Sequence, residues 1–280
     1  MGMSAPAPPV RARFGLEYAH HDEACLGDLY APGEATTAPV VVAVHGGGWK
    51  SGSAQFYRHW GPYLAAHGIA LFAIDYRLAD GRGNRHPAAA QDVRAALAFV
   101  RANAAALGID PTRIGLIGDS AGAHLAALVA LAGETIPLAE GGDAAIPVKA
   151  VVGVYGVYDL LAQWQHDLAA RPRDQITELL MGTSPIEDRL AFFAASPLAY
   201  ATRRESPPAF LIAWGTADDI VDWQTQSRVF VAALKQAGFF VRTAPLAEAP
   251  HFWMSDPLDE PHGYPARFAP VLLRFLRERL

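Results

Sequence analysis

Five short apolar runs, separated by longer segments with helical spacing, constrain the fold of this chain more than any other feature. The runs occupy residues 40–44, 71–74, 114–117, 150–155 and 210–214. Each is apolar at consecutive positions, as expected of a strand that is buried on both faces. The helical patterns cover residues 86–107, 121–131 and 224–237. This alternation predicts an α/β fold with a mainly parallel central sheet flanked by helices.

The chain shows no internal repeat and no long polar linker, so we expect residues 1–280 to form a single domain. Residues 1–12 are rich in proline and predict a loose tail. No strand pattern occurs over 159–207, although this segment has many apolar residues. Such an insertion is typical of a helical cap or lid, and ordinary helical packing on the sheet is the alternative.

Composition and charge exclude several classes of protein. The formal net charge is -5 and no block of basic residues occurs, so we expect no nucleic-acid partner. No stretch of about 18 apolar residues and no signal-peptide pattern are present, which predicts a cytoplasmic protein without a membrane span. The single cysteine, Cys25, excludes an intrachain disulfide and is expected to be a buried strand residue rather than a nucleophile.

A G-x-S-x-G motif at residues 118–122 follows one of the predicted strands and precedes a predicted helix. In this context the motif predicts a sharp turn that presents Ser120 as a nucleophile at the helix N-terminus. Gly118 and Gly122 would let the strand and the helix approach closely. A serine that only caps the helix is the alternative interpretation.

A glycine cluster follows the first strong strand, in the sequence His45-Gly46-Gly47-Gly48-Trp49. Consecutive glycines can direct backbone N–H groups at a developing oxyanion, and the N–H of Ala121 would be the partner donor. His45 is expected to brace the loop. A phosphate-binding loop would need Gly-Lys-Ser/Thr where the chain has Trp-Lys-Ser, so we reject that interpretation.

The candidate acid and base come later in the chain. Asp218 and Asp219 follow the strand predicted at 210–214, and either could orient an imidazole. His251 and His262 are the histidines after this point, and we favour His251 because it closely follows a last strand predicted at 241–243.

The remaining histidines have simpler interpretations. His20 and His21, beside Asp22, could imitate a metal site but are expected to be solvated. His124 lies one turn into the helix after Ser120 and is expected to be a hydrogen-bonded packing residue.

Together these motifs resemble the esterase/lipase branch of the α/β-hydrolases, near its hormone-sensitive-lipase-like and feruloyl- or acetyl-esterase-like groups. The matching segments, in chain order, are HGGGW at 45–49, DYRL at 75–78, HPAA at 86–89, GIDP at 108–111, GDSAG at 118–122 and GTAD at 215–218. The resemblance implies an α/β-hydrolase fold. It also implies a triad and an oxyanion hole, formed by Ser120, Asp218 and His251 and by the amides of Gly47, Gly48 and Ala121.

The chain departs from the hormone-sensitive-lipase-like pattern at Ala123 and Asp222, where a glycine and a proline are usual. It also has only 44 residues before the glycine cluster, so the cap is expected to come mainly from 159–207. Kynurenine formamidase has a similarly short N-terminus and glycine loop, which makes arylformamidase activity the alternative. A non-catalytic binding protein of the same fold is a further alternative.

The resemblance implies a serine carboxylic-ester hydrolase that needs neither a metal nor an organic cofactor. The expected substrate is a small-molecule ester with a short acyl or an aryl group, because Trp49 and Trp253 follow the glycine loop and the base and could narrow the pocket. Relatives are often dimers, so a homodimer is possible.

Overall fold

The computed structural model describes residues 9–33, 37–81, 83–133, 135–136 and 146–280. The strands are β1 (Val10–His20), β2 (Ala24–Pro32), β3 (Ala38–Val44), β4 (Ala70–Ile74), β5 (Ile109–Asp119), β6 (Ala150–Val154), β7 (Ala209–Gly215) and β8 (Val241–Leu246). They form one eight-stranded sheet in the order β1-β2-β4-β3-β5-β6-β7-β8. The pairs β1-β2 and β2-β4 are antiparallel, whereas the pairs β4-β3, β3-β5, β5-β6, β6-β7 and β7-β8 are parallel. The mainly parallel α/β sheet predicted from the sequence is therefore confirmed.

Helices cover both faces of the sheet. They are α1 (Trp60–Ala66), α2 (Ala88–Ala102), α3 (Ala104–Leu107), α4 (Ala121–Ala132), α5 (Leu160–Ala170), α6 (Ile176–Met181), α7 (Arg189–Ala194), α8 (Ser227–Gln236) and α9 (Tyr264–Arg279). Short 3-10 helices occupy Ala54–Tyr57 and Pro197–Tyr200. None of the helices within the described ranges combines the length and the apolar character needed to cross a membrane.

The alternation of side chains along β3 shows why its run is apolar throughout. Val40, Val42 and Val44 join the core on the side of α2 and α4, whereas Val41 and Ala43 join the core on the side of α1 and α9. Successive strand residues point to opposite faces, and here each face is covered by helices. A continuous apolar run is the consequence.

Two sequence predictions need correction here. The loose tail predicted for 1–12 is wrong for residues 10–12, because β1 begins at Val10, which pairs with Pro32 at the end of β2. Residues 1–8 lie outside the described residues. The single helix predicted over 86–107 is two helices, since Asn103 separates α2 from α3 and its side-chain amide donates to the carbonyl of Phe99.

The segment 159–207 forms α5, α6, α7 and the second 3-10 helix, without a strand, as predicted. Its side chains do not form a separate core. Leu160, Leu180 and Phe192 are buried in the same apolar cluster as the sheet residues on the α2 and α4 side. The segment is therefore joined to the main core, and its α6 end lies next to the glycine loop.

Candidate active site

Ser120 lies in the sharp turn between β5 and α4. Its backbone has φ 52° and ψ -118°, a conformation that non-glycine residues rarely adopt and that is typical of functional turns. The turn needs glycines on both sides. A Cβ at Gly118 would lie 2.2 Å from the carbonyl oxygen of Gly122, and one at Gly122 would lie 1.9 Å from that of Val44. The G-x-S-x-G pattern thus meets a steric requirement of this crossing.

Three side chains from separate loops form a hydrogen-bonded chain at Ser120. His251 Nε2 lies 3.0 Å from Ser120 Oγ, and His251 Nδ1 lies 2.7 Å from Asp218 Oδ2. The side chains of His251 and Asp218 are each about 1% exposed. A serine, an imidazole and a carboxylate in this order match the geometry by which a base activates a nucleophile and an acid orients the base.

The structure distinguishes the alternatives that the sequence left open. Asp218 Oδ1 accepts hydrogen bonds from the backbone amides of Ile220 and Val221, which aims Oδ2 at the imidazole. Asp219 is exposed, and only its backbone carbonyl contacts a histidine. His262 is exposed near the start of α9. The geometry therefore brings together Asp218 and His251.

The loops that carry the acid and the base are packed against each other. The amide of Ala217 donates to the carbonyl of Ala249 at 3.0 Å, and a Cβ at Gly215 would lie 2.1 Å from that same carbonyl oxygen. The glycine that precedes the acid by three positions is therefore required by the approach of the histidine loop.

The glycine loop lies directly beside Ser120. A Cβ at Gly46 would lie 3.1 Å from Ser120 Cβ. Gly47 and Gly48 have φ of 114° and 60°, and a Cβ at Gly47 would lie 2.1 Å from the carbonyl oxygen of Ser51. Within the part of the chain that the structure describes, no protein group accepts a hydrogen bond from the amides of Gly47, Gly48 or Ala121.

His45 braces this loop, as the sequence predicted. Its Nδ1 lies 2.7 Å from the carbonyl of Gly46, and its ring stacks on Tyr76 with centroids 4.2 Å apart. Burial lowers the pKa of His45 to about 4, so the ring is neutral at pH 7.

Asp119 is a site residue that sequence reasoning missed. Its Oδ1 accepts hydrogen bonds from the Gly46 amide and the Tyr57 hydroxyl, both at 3.0 Å, and its Oδ2 accepts from the Tyr155 hydroxyl at 3.4 Å. Burial raises its pKa to about 6, although these hydrogen bonds act in the opposite direction. The signal was available, since Asp119 lies inside the motif beside Ser120.

Two aromatic rings that the sequence analysis did not single out contact the imidazole of His251. Tyr155, which is 2% exposed, lies 4.4 Å from it between ring centroids. Phe252 lies at the same 4.4 Å, edge to face, and is 57% exposed. Both residues have positive φ, 37° and 65°, as do Ser120 and Trp49. Most of the strained non-glycine positions in the described residues are therefore next to this site.

Trp49 and Trp253, which the sequence predicted to contact substrate, are each 1% exposed and contact other protein side chains. The indole N–H of Trp49 donates to His124 Nδ1 at 3.1 Å, and His124 Nε2 lies 2.8 Å from the Ala195 carbonyl. Trp253 packs edge to face against Tyr155. Both indoles support the site from the core. The packing role predicted for His124 is confirmed.

The prediction that His21 is solvated is wrong. Its Nε2 lies 2.9 Å from Oδ1 of the fully buried Asp92, and these two residues with Cys25 form a group whose ligand atoms are close enough for a metal ion. The Arg77 guanidinium already pairs with the same carboxylate at 2.7 Å. A cation would have to compete with this ion pair, so the cluster fits a structural role. Cys25 itself is buried in β2, as predicted.

Comparison with known proteins agrees with this geometry. The BD-FAE family model matches residues 27–234. The chain is 36% identical over 225 residues to esterase LipQ of Mycobacterium tuberculosis, covering 79% of this chain and 50% of LipQ. It is 34% identical over 224 residues to esterase LipC of the same organism, covering 76% of this chain and 53% of LipC. The chain thus spans about half the length of these relatives.

Solved structures extend the likeness over nearly the whole chain. Thermogutta terrifontis esterase 2 superposes with a TM-score of 0.76 at 27% identity, covering 98% of this chain and 92% of that one. Its butyrate-bound form gives a TM-score of 0.78 at 27% identity, with 98% and 94% coverage. Its form phosphorylated by paraoxon gives 0.72 at 26% identity, with the same coverage. By the family match and this shared architecture, the chain belongs to the BD-FAE family of α/β-hydrolase esterases.

Proposed function

We propose that this protein is a serine carboxylic-ester hydrolase. The observation that carries the proposal is the continuous hydrogen-bonded chain from Ser120 through His251 to Asp218. All three side chains are in place, so a non-catalytic binding protein is disfavoured. The esterase names of the relatives support the same activity, and organophosphate adducts of the Thermogutta esterase fit a nucleophilic site.

The geometry supports a two-step reaction. Ser120 Oγ attacks the ester carbonyl carbon while His251 Nε2 takes its proton, and Asp218 stabilises the imidazolium. The tetrahedral intermediate then loses its alcohol, which receives that proton from His251. A water activated by His251 attacks the resulting acyl-enzyme and releases the carboxylic acid and free Ser120.

The oxyanion of each intermediate needs preorganised donors. The amides of Gly47, Gly48 and Ala121 are the candidates, since no protein group among the described residues accepts from them and the loop adjoins Ser120. Asp119 holds this loop through the Gly46 amide. The residues present thus supply nucleophile, base, acid and donors.

A small ester with a short acyl group is the substrate class that we propose. The segment 159–207 contacts the glycine loop and the residue after it, because the side chain of Ile176 comes within 3.7 Å of a Cβ built at Gly48 and Lys50 Nζ pairs with Asp174 at 2.7 Å. An acyl group bonded to Ser120 would lie beside this contact, so we expect a long acyl chain to be disfavoured on that side. Propionate- and butyrate-bound forms of the Thermogutta esterase support the same size of acyl group.

The arylformamidase alternative rests on sequence likeness alone, and the relatives found are esterases, which favours ester hydrolysis. A cytoplasmic location and a homodimer stay predictions from the sequence.

Labelling with a fluorophosphonate probe tests the proposal directly. The wild-type protein should be labelled and should hydrolyse p-nitrophenyl acetate, whereas Ser120→Ala should lose both properties while keeping its circular dichroism spectrum. The loss of kcat should be about 10⁶-fold, as for other serine nucleophiles. Ser206→Ala, at an exposed serine, is the control and should behave as wild type. Normal turnover by folded Ser120→Ala would refute the assignment.

A further inference from the structure

The Phe252 side chain is a large apolar group that is exposed beside His251, the proposed general base. The residue is 57% exposed, while its neighbours His251 and Trp253 are 5% and 1% exposed. Single exposed apolar residues are common and need no explanation by themselves. Phe252 does require an explanation, because the centroid of its ring lies only 4.4 Å from that of the His251 imidazole.

The exposure of Phe252 is imposed by a firmly held loop. Met254, two residues later, accepts a hydrogen bond from the Trp60 indole at 2.7 Å and donates its amide to the Tyr155 hydroxyl at 3.1 Å. Phe252 itself has φ 65°, a conformation that is unfavourable for a bulky side chain. The chain therefore holds an aromatic ring in a strained and exposed position, and such strain is often found at ligand sites.

The chemistry of the proposed reaction indicates which part of the substrate would contact the Phe252 ring. The leaving oxygen of the ester must come within hydrogen-bond reach of His251 Nε2 to receive its proton. The imidazole is small, so this nitrogen lies close to the ring centre from which the 4.4 Å distance to Phe252 is measured. An alcohol that extends several carbons beyond its oxygen would thus be beside the exposed phenyl ring.

We propose that Phe252 forms the binding surface for the alcohol part of the substrate and selects esters of flat, apolar alcohols of the phenyl or benzyl type. Aromatic rings prefer offset or edge-to-face contact with one another, and an exposed ring held in one orientation is suited to this contact. The inference rests on the proposed function and adds to it the chemical class of the leaving group. The acyl part remains bonded to Ser120, on the side of the glycine loop and Ile176.

A comparison of acetates with different alcohols tests this assignment. Methyl, benzyl and phenyl acetate all yield the same acetyl-enzyme, so they differ only before the alcohol leaves. In Phe252→Ala, kcat/KM for benzyl and phenyl acetate should fall about tenfold more than kcat/KM for methyl acetate, the factor expected for one aromatic contact. Each ester is compared with itself in the wild type, so intrinsic leaving-group reactivity cancels.

Deacetylation provides the readout that separates binding from positioning. The rate at which the acetyl-enzyme hydrolyses, measured after the p-nitrophenol burst, should stay within about twofold of wild type in Phe252→Ala, because the alcohol has already left. Phe252→Gly also removes the ring but relieves the positive φ, so it should show the same selectivity change with a higher Tm than Phe252→Ala. This pair keeps the test independent of folding.

Phe240→Ala is the matched control, since Phe240 is also exposed, at 43%, but packs against Arg279. It should leave the ratio of benzyl to methyl acetate hydrolysis unchanged. An equal loss on all three acetates together with slower deacetylation would assign Phe252 to positioning His251 and overturn the inference. Unchanged selectivity in Phe252→Ala would also overturn it. A wild-type protein that neither hydrolyses any acetate nor reacts with fluorophosphonate would instead refute the proposed function.

Discussion

Replacing Asp119 by asparagine should make the pH dependence of stability visibly different from that of the wild type. The Asp119 carboxyl group is 3% exposed, and burial raises its pKa from 3.8 to about 6. The folded protein therefore holds this proton to a higher pH than the unfolded chain does. As pH rises through this window, ionisation of Asp119 lowers the free energy of unfolding of the wild type, by about 3 kcal/mol in total.

The asparagine variant lacks this titration but can keep two of the three hydrogen bonds that Asp119 accepts, losing the one from the Tyr155 hydroxyl. Its side-chain oxygen can accept from the Gly46 amide and the Tyr57 hydroxyl in place of Oδ1. The unfolding free energy of Asp119→Asn, minus that of the wild type, should therefore increase by about 3 kcal/mol from below pH 3.8 to above pH 6, with about half of the change between pH 5 and 7.5.

Urea unfolding at a series of pH values measures this difference, with the m-value checked for constancy. All other titrating groups are common to both proteins and cancel. A difference that is independent of pH, or that decreases as pH rises, would refute the argument that burial dominates at Asp119.

Asp119→Ala separates the effect of charge from that of hydrogen bonding. It leaves the Gly46 amide and the Tyr155 hydroxyl without their acceptor, and each such loss costs about 1–3 kcal/mol, whereas the Tyr57 hydroxyl can still donate to the Val44 carbonyl. The glycine loop would also lose its anchor. We expect kcat/KM for p-nitrophenyl acetate to fall about 10²-fold in the alanine variant, comparable to the loss of one oxyanion donor, and to stay within about threefold of wild type in the asparagine variant. Equal activities of the two variants would show that Asp119 does not position the loop.

Two further predictions concern the acid and the acyl pocket. Asp218→Asn should lower kcat about 10⁴-fold, because the carboxylate that orients the imidazole is lost, whereas Asp219→Asn should have little effect since that side chain is exposed. Steady-state kinetics of the two variants decide this, and a larger loss in Asp219→Asn would contradict the geometry. Across p-nitrophenyl esters from acetate to palmitate, kcat/KM should be highest for acetate to butyrate. A maximum at decanoate or longer would show a long acyl channel instead.

Local sequence was sufficient to predict the central strands and the turn that holds Ser120. The apolar runs at 40–44 and 114–117 became strands because burial on both faces requires continuous apolar residues, a condition that can be read without knowing the fold. The motif at 118–122 predicted the turn at Ser120 for a similar reason, since Gly118 and Gly122 meet a purely steric requirement. Sequence order and family likeness then suggested Asp218, whereas the residues alone could not separate it from Asp219.

Tertiary structure decided which neighbouring side chains face the site. His251, Phe252 and Trp253 are consecutive and all aromatic, yet the first is buried in the site, the second is exposed and the third packs in the core. The positive φ at Phe252 and the anchoring of the loop at Met254 set these directions, and neither has a local sequence signal.

The contacts that complete the site also join distant parts of the chain. Asp119 accepts from the Gly46 amide across 73 positions, and His251 reaches Ser120 across 131. The strand β1, which replaced part of the expected tail, exists through its pairing with β2. Residue type and spacing determine secondary-structure propensity, the pattern of burial and the positions that require glycine. Contacts between distant residues depend instead on how the sheet and its loops pack in three dimensions. The sequence by itself therefore determined the fold class and the candidate chemical groups, and only the packed structure decided their partners and their access to substrate.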